Sequence, residues 1–250
     1  MRDIALAPER RQITTAPLDL DEVRDSRAGE GQWDFVGHAA VFNQWTTLLR
    51  FHDGTVLRER IAPAFFDDVL SRDPDVHFVW DHDTRWTLAR TRSKTLELGT
   101  NARGLRTWAR VAPTTYAADL RVLMERGDID QMSFMFTVAA DTWEVDEEEN
   151  ISRTLVACDE LYDVTVCARG AYPQTDAQIA GRALAHAPDD ITELLARRIP
   201  GWPGKETPDE APAIGKPDEA PAIGADKQRS KLAARVRAEL DLARAKTPKE

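Results

Sequence analysis

The chain has 250 residues and a formal net charge of −10, which excludes wholesale binding to nucleic acid through a basic surface. Its two cysteines, Cys158 and Cys167, have neither metal-site spacing nor the density of a disulfide framework, so a reducing cytosol is expected. No apolar run approaches the roughly 18 residues of a membrane span and no secretory pattern opens the chain, so neither membrane insertion nor secretion is expected.

Residues 1–30 are polar and charged, with Pro8 and Pro17, and read as a flexible arm that adds at most one strand. DFVGHAAVFN (34–43) alternates as a strand does, and Gly37 marks a close approach or a bulge. VLRERI (56–61) reads as a second strand. PAFFDDVLSR (63–72) switches to helical spacing, with Pro63 suited to the first turn and Phe65, Phe66, Val69 and Leu70 forming an apolar stripe. DVHFVWDHD (75–83) returns to period two: Val76, Phe78 and Trp80 share a side with His82, and His77 and Val79 take the other. TLEL (95–98) and GLRTWARVA (104–112) form a hairpin across 100–104. TTYAADLRVLMERG (114–127) is a helix with a threonine cap, a stripe of Tyr116, Leu120 and Leu123, and Gly127 as its stop.

QMSFMFTV (131–138) follows as a strand. Met132, Phe134, Phe136 and Val138 point one way, and Ser133, Met135 and Thr137 the other. Both sides are largely apolar, so the strand is expected to be buried on both faces. A hydroxyl there needs a partner. Ser133 is either a core serine bonded to a neighbouring carbonyl or a nucleophile awaiting a base and an orienting group. The acidic run 146–150 marks an exposed hairpin turn, read as solvated charge.

ELYDVTVCA (160–168) is another strand, with Leu161, Asp163, Thr165 and Cys167 on one face. Asp is depleted in strands, so Asp163 is either on an edge in water or in a special role. Residues 188–198 form a short helix with Asp189 or Asp190 at the cap and Ile191, Leu194 and Leu195 facing inward.

From Pro200 the composition changes. PDEAPAIG occurs at 208–215 and again at 217–224, and proline at this density makes residues 200–224 an extended linker. Residues 225–250 follow as a basic amphipathic helical tail with a narrow stripe of Leu232, Val236, Leu240 and Ala243. The tail carries +4, leaving −14 on residues 1–224. The expected organisation is an arm (1–30), a catalytic domain (31–199), a linker (200–224) and a tail (225–250).

Three polar side chains stand at unusual places: His82, Ser133 and Asp163. Their types fit nucleophilic catalysis, since a serine needs a base and an imidazole serves at neutral pH. A carboxylate on the far ring nitrogen sets the tautomer and stabilises the imidazolium. Spacing alone does not bring the three together.

The order G-x-A-x-x-F-N (37–43), ERIAPAFF (59–66), WDHD (80–83), GL (104–105), MSFMF (132–136) and LYDVTVCARGAYPQT (161–175) resembles the prohead proteases of tailed bacteriophages. That family is similar to the herpesvirus assemblins in fold and mechanism. The resemblance covers roughly residues 33–178. It implies a mainly β (α+β) protein with flanking helices around an assemblin-like β-barrel core. It implies a serine endopeptidase, without cofactor or metal, that cleaves scaffold and capsid-protein segments, and its own chain. The place of action would be the immature capsid in the host cytoplasm. Its partners would be the major capsid protein and scaffold segment, with the protease a homo-oligomer or shell-associated. Carried over by position, His82 is the base, Ser133 the nucleophile and Asp163 the third member. The third member is more often Glu in the family, so Asp163 is one methylene shorter and the imidazole must sit closer. Met135 and Phe136 stand where a glycine is frequent, and backbone amides near Arg169 and Gly170 are candidate oxyanion donors. Two other readings remain from the residues: a metal hydrolase built on His77, Asp81, His82 and Asp83, and a non-enzymatic assembly factor that docks through its tail.

Overall fold

The computed structural model describes residues 9–13, 24–25, 33–168 and 187–199. The expected linker and tail and the Arg169–Gly170 amides lie outside the described residues. In chain order the elements are β1 (Glu9–Ile13), β2 (Arg24–Asp25), β3 (Trp33–Val41), β4 (Thr46–Arg50), β5 (Val56–Ile61), α1 (Asp67–Ser71), β6 (His77–Trp80) and β7 (Asp83–Arg90). β8 (Leu96–Thr100), β9 (Gly104–Val111), α2 (Thr115–Glu125), β10 (Gln131–Val145), β11 (Ile151–Cys167) and α3 (Asp189–Arg198) complete the list.

The longest strand, β11, is the spine. Along one side it pairs antiparallel with β10. Along the other it pairs in parallel with two strands in succession, β5 against Ile151–Leu155 and β6 against Asp163–Val166. Between those two partners the backbone of β11 is satisfied by the β5–α1 segment: Ala62 N–H donates to Leu155 O and Cys158 N–H to Phe65 O. The Arg72 guanidinium donates to Asp159 O at the same gap. The β1 and β4 strands close the ends of this sheet, and β7 hangs on β6.

The second sheet has the order β2-β3-β9-β8, all antiparallel. At Gly104 a Cβ would sit 1.8 Å from Ala40 O, so only glycine lets β3 and β9 approach this closely. Gly37 answers to its neighbours' side chains: a Cβ there would meet the Phe35 ring at 2.8 Å. The expected bulge falls just beyond it, between His38 and Ala40.

One core joins the two sheets. Phe35 of β3 meets Phe78 of β6 with ring centroids 4.8 Å apart, and Phe134 and Phe136 of β10 stack at 4.7 Å. Each such buried ring contributes on the order of 2–3 kcal/mol of transfer free energy. The α2 helix closes this core with Ala117, Leu120 and Met124, and Thr114 caps it by accepting from Ala117 N–H. Gly127, with φ +79°, ends it. A second cluster of Phe51, Leu57, Ile151, Ala187, Ile191 and Leu195 seats α3.

The class is α+β and mainly β, but the described strands form two open sheets with separate edges and no closed barrel. The far side of β11 is shared between β5 and β6, and among the described residues no strand of the first sheet pairs with a strand of the second. Three local expectations change as well. The α1 helix is shorter than 63–72, because Pro63–Phe66 fold into turns ahead of it. Pro188, not Asp189 or Asp190, stands at the cap of α3. The short strands β4 and β7 escaped the sequence reading, because their apolar alternation is broken by Trp, Thr and Arg side chains.

Candidate active site

Ser133 lies on β10 directly opposite Thr165 of β11, and Asp163 lies two residues earlier on the same face of that strand. Asp163 is not on an edge. It stands on the interior spine with 2% of its surface exposed, beside the equally enclosed Ser133 at 3%.

His82 arrives from a sharp turn. β6 and β7 are joined by Asp81 and His82 alone, with Trp80 pairing to Asp83. Both turn residues have positive φ, 55° and 56°. Positive φ at both central positions is the type I′ pattern that suits right-twisted hairpins, usually served by Asn-Gly. A non-glycine pair there costs roughly 1–2 kcal/mol per residue. It persists because it is held: Asp81 N–H donates to Val166 O at 3.0 Å, and His82 N–H donates to Thr165 Oγ1 at 3.1 Å.

The turn also breaks the period-two expectation for this segment. His82 does not continue the Val76–Phe78–Trp80 face into the core. Its ring swings to the face that carries Asp163, whose parallel-strand neighbour is His77. The two histidines therefore belong to the same side of the sheet, not to opposite ones.

His82 Nδ1 lies 2.8 Å from Asp163 Oδ1, and its Nε2 lies 2.9 Å from Ser133 Oγ. A carboxylate only accepts, so Nδ1–H is the donor to Asp163 and Nε2 is left to accept the Ser133 O–H. The second carboxylate oxygen, Asp163 Oδ2, is buried without a hydrogen-bond partner among the described residues. All its directed bonding goes to the imidazole. The one-methylene-shorter third residue reaches because the I′ turn brings the ring to the strand.

Burial pushes the Cys167 thiol up to about 12 and raises that of Cys158 too, so neither offers a thiolate at neutral pH. Asp83 is committed to its own turn, bonding Arg85 through backbone and guanidinium. Among the described residues no group of three or more His, Cys, Asp or Glu is arranged to hold a metal ion. His38 bonds Asn101, far from the site in sequence and on the other sheet. Thr165 was singled out by nothing in the sequence. The signal was there in its spacing, two residues from Asp163 on one strand face.

A serine hydroxyl bonded to an imidazole that is bonded in turn to a buried carboxylate is the working arrangement of serine hydrolases. The chain belongs to the caudovirus prohead serine protease family, whose model matches residues 20–190. It is similar to the prohead protease of Enterobacteria phage HK97, with 28% identity over 187 residues, 74% of each chain. No solved structure matches it significantly. The protein is thus a serine protease, and a non-enzymatic assembly factor is no longer the reading to retain. Among the described residues no helix is long and apolar enough to cross a membrane.

Proposed function

We propose that Ser133, His82 and Asp163 are the nucleophile, general base and orienting carboxylate of an endopeptidase acting inside the phage prohead. The observation that carries this reading is the serial pair of hydrogen bonds, 2.9 Å from Ser133 Oγ to His82 Nε2 and 2.8 Å from His82 Nδ1 to Asp163 Oδ1.

The chemistry follows from those contacts. Ser133 Oγ attacks the scissile carbonyl carbon while Nε2 takes its proton. The imidazolium so formed is stabilised by the Asp163 carboxylate. When the tetrahedral intermediate collapses, the C–N bond breaks and Nε2 returns the proton to the leaving amine. Water then attacks the acyl ester with His82 again as base, releasing the new carboxylate and restoring the serine. The substrates are scaffold and capsid-protein segments, and the chain itself at its Pro-rich linker, where an extended backbone suits a protease cleft. The working unit is the domain 31–199, preceded by the arm 1–30. The linker 200–224 carries the tail 225–250. The tail is an address: Leu232, Val236 and Leu240 dock on a scaffold or capsid helix, and the Lys and Arg side chains add salt-sensitive attraction.

The test is co-expression with the capsid protein, followed by mass measurement of both chains. Ser133→Ala removes one oxygen from a strand that keeps its apolar face, so the fold should persist while full-length capsid protein accumulates in immature shells. Processing at the normal sites by Ser133→Ala would overturn the assignment.

A further inference from the structure

We infer that Thr165 is a positioning residue for cleavage: its hydroxyl grips the main chain of His82 while Asp163 grips the ring of the same histidine. The inference rests on the reading of His82 as general base.

Thr165 sits where three strands meet. Its register partners are Ser133 on β10 and Val79 on β6, so it adjoins both the nucleophile strand and the histidine strand. It is fully buried. Its hydroxyl has one hydrogen, and the nearer of two carbonyls in reach is Val79 O at 2.9 Å, with Val166 O at 3.3 Å. Donation to Val79 leaves a lone pair for the His82 N–H at 3.1 Å. The branched Cβ stiffens χ1, so the hydroxyl does not wander among rotamers.

The bond matters because of where His82 stands. At φ +56° it is held in a conformation that a non-glycine residue leaves readily unless its surroundings over-determine it. The neighbouring bond from Asp81 N–H to Val166 O fixes the start of the turn, and the Thr165 bond fixes the histidine itself. Without the hydroxyl the turn can relax, and the ring shifts on its two side-chain bonds. A misplacement of about 1 Å in such a constellation costs on the order of 10²-fold in rate. Asp163-x-Thr165 thus acts as a two-pronged holder, both prongs on one strand face.

The experiment uses the full chain with its capsid protein as substrate and a fluorophosphonate as active-site probe. Thr165→Val should lower kcat and the labelling rate of Ser133 by about 10²-fold, with KM within a few-fold of the parent. Thr165→Ser restores the oxygen and should stay within a few-fold in both readouts. In the parent, the His82 amide should be protected from hydrogen exchange although it lies in a two-residue turn. A Thr165→Val chain that cleaves at the parent's rate, while His82→Ala is inactive, overturns the role of Thr165 and leaves the triad standing. A His82→Ala chain that cleaves normally overturns the triad and this inference with it. Should Thr165→Val fail to fold, the other two readouts decide: an inactive but folded Thr165→Ser, or a freely exchanging His82 amide, refutes the proposal.

Discussion

Asp163→Asn is the substitution whose cost can be worked from the site. On the proposed mechanism, the imidazolium formed at His82 during attack stands beside a carboxylate whose Oδ1 is 2.8 Å from Nδ1. Taking the charge centres as about 4 Å apart and an effective dielectric near 20, the pair contributes about 4 kcal/mol that the amide cannot supply. That is roughly 10³-fold in rate. The amide also has two ways to sit. With its NH2 toward Nδ1 it donates to the ring, drives the proton to Nε2 and leaves Ser133 without a base; the same substitution costs about 10⁴-fold in a serine-protease triad. With its oxygen toward Nδ1 the tautomer survives, but the NH2 then occupies the place of Oδ2, which is buried and has no partner among the described residues. An unpaired buried donor costs about 1–3 kcal/mol, so this orientation is disfavoured. The expected loss lies between about 10³- and 10⁴-fold, in the fluorophosphonate labelling rate and in capsid-protein cleavage alike. Removing a buried charge that makes one hydrogen bond should leave the melting temperature within about 4 °C. An Asn variant that labels within ten-fold of the parent would refute the reasoning and make Asp163 a structural carboxylate.

Other outcomes can be checked on the same preparations. Arg153 is wholly buried and bonds Glu59 at 3.0 Å and Asp141 at 2.7 Å, so Arg153→Ala removes the buried cation from two carboxylates and should cost about 3–5 kcal/mol in urea unfolding. A loss under about 1 kcal/mol would show that those carboxylates are solvated or repaired. Burial, and then the Arg90 charge, hold His77 below its ordinary 6.5 despite Asp75 and Asp163. The unfolded chain therefore binds the extra proton first, so stability is full above about pH 6.5 and falls as pH drops through the lowered folded value. In His77→Gln that part of the slope should disappear from a melting series between pH 7 and 5; an unchanged slope would discard the assignment. A chain truncated after Gly201 should still label at Ser133 yet be missing from purified immature shells, which stay unprocessed. Normal packaging of the truncated chain would end the address hypothesis for the tail.

Much of the molecule was legible as local pattern. VLRERI marked its strand to the residue, and the Thr114 cap and Gly127 stop bracketed α2, because strand alternation and helix ends depend on near neighbours. Ser133 and Asp163 drew notice for the same reason, as polar groups set among apolar alternation. What the chain order could not contain was the sharing of β11. Whether Asp163 faced water or an imidazole depended on β6 pairing with Asp163–Val166 after β5 had taken Ile151–Leu155, a matter of contacts some 80 to 95 residues apart. The direction of His82 was decided in the same way. Period two carried it into the core with Phe78, and only two positive φ values, held by bonds to Val166 and Thr165, turned it to face Ser133. Sequence reports which residues are out of place in their own element. The tertiary structure decides which of them meet, because a strained turn is stable only where distant backbone and side-chain partners hold it.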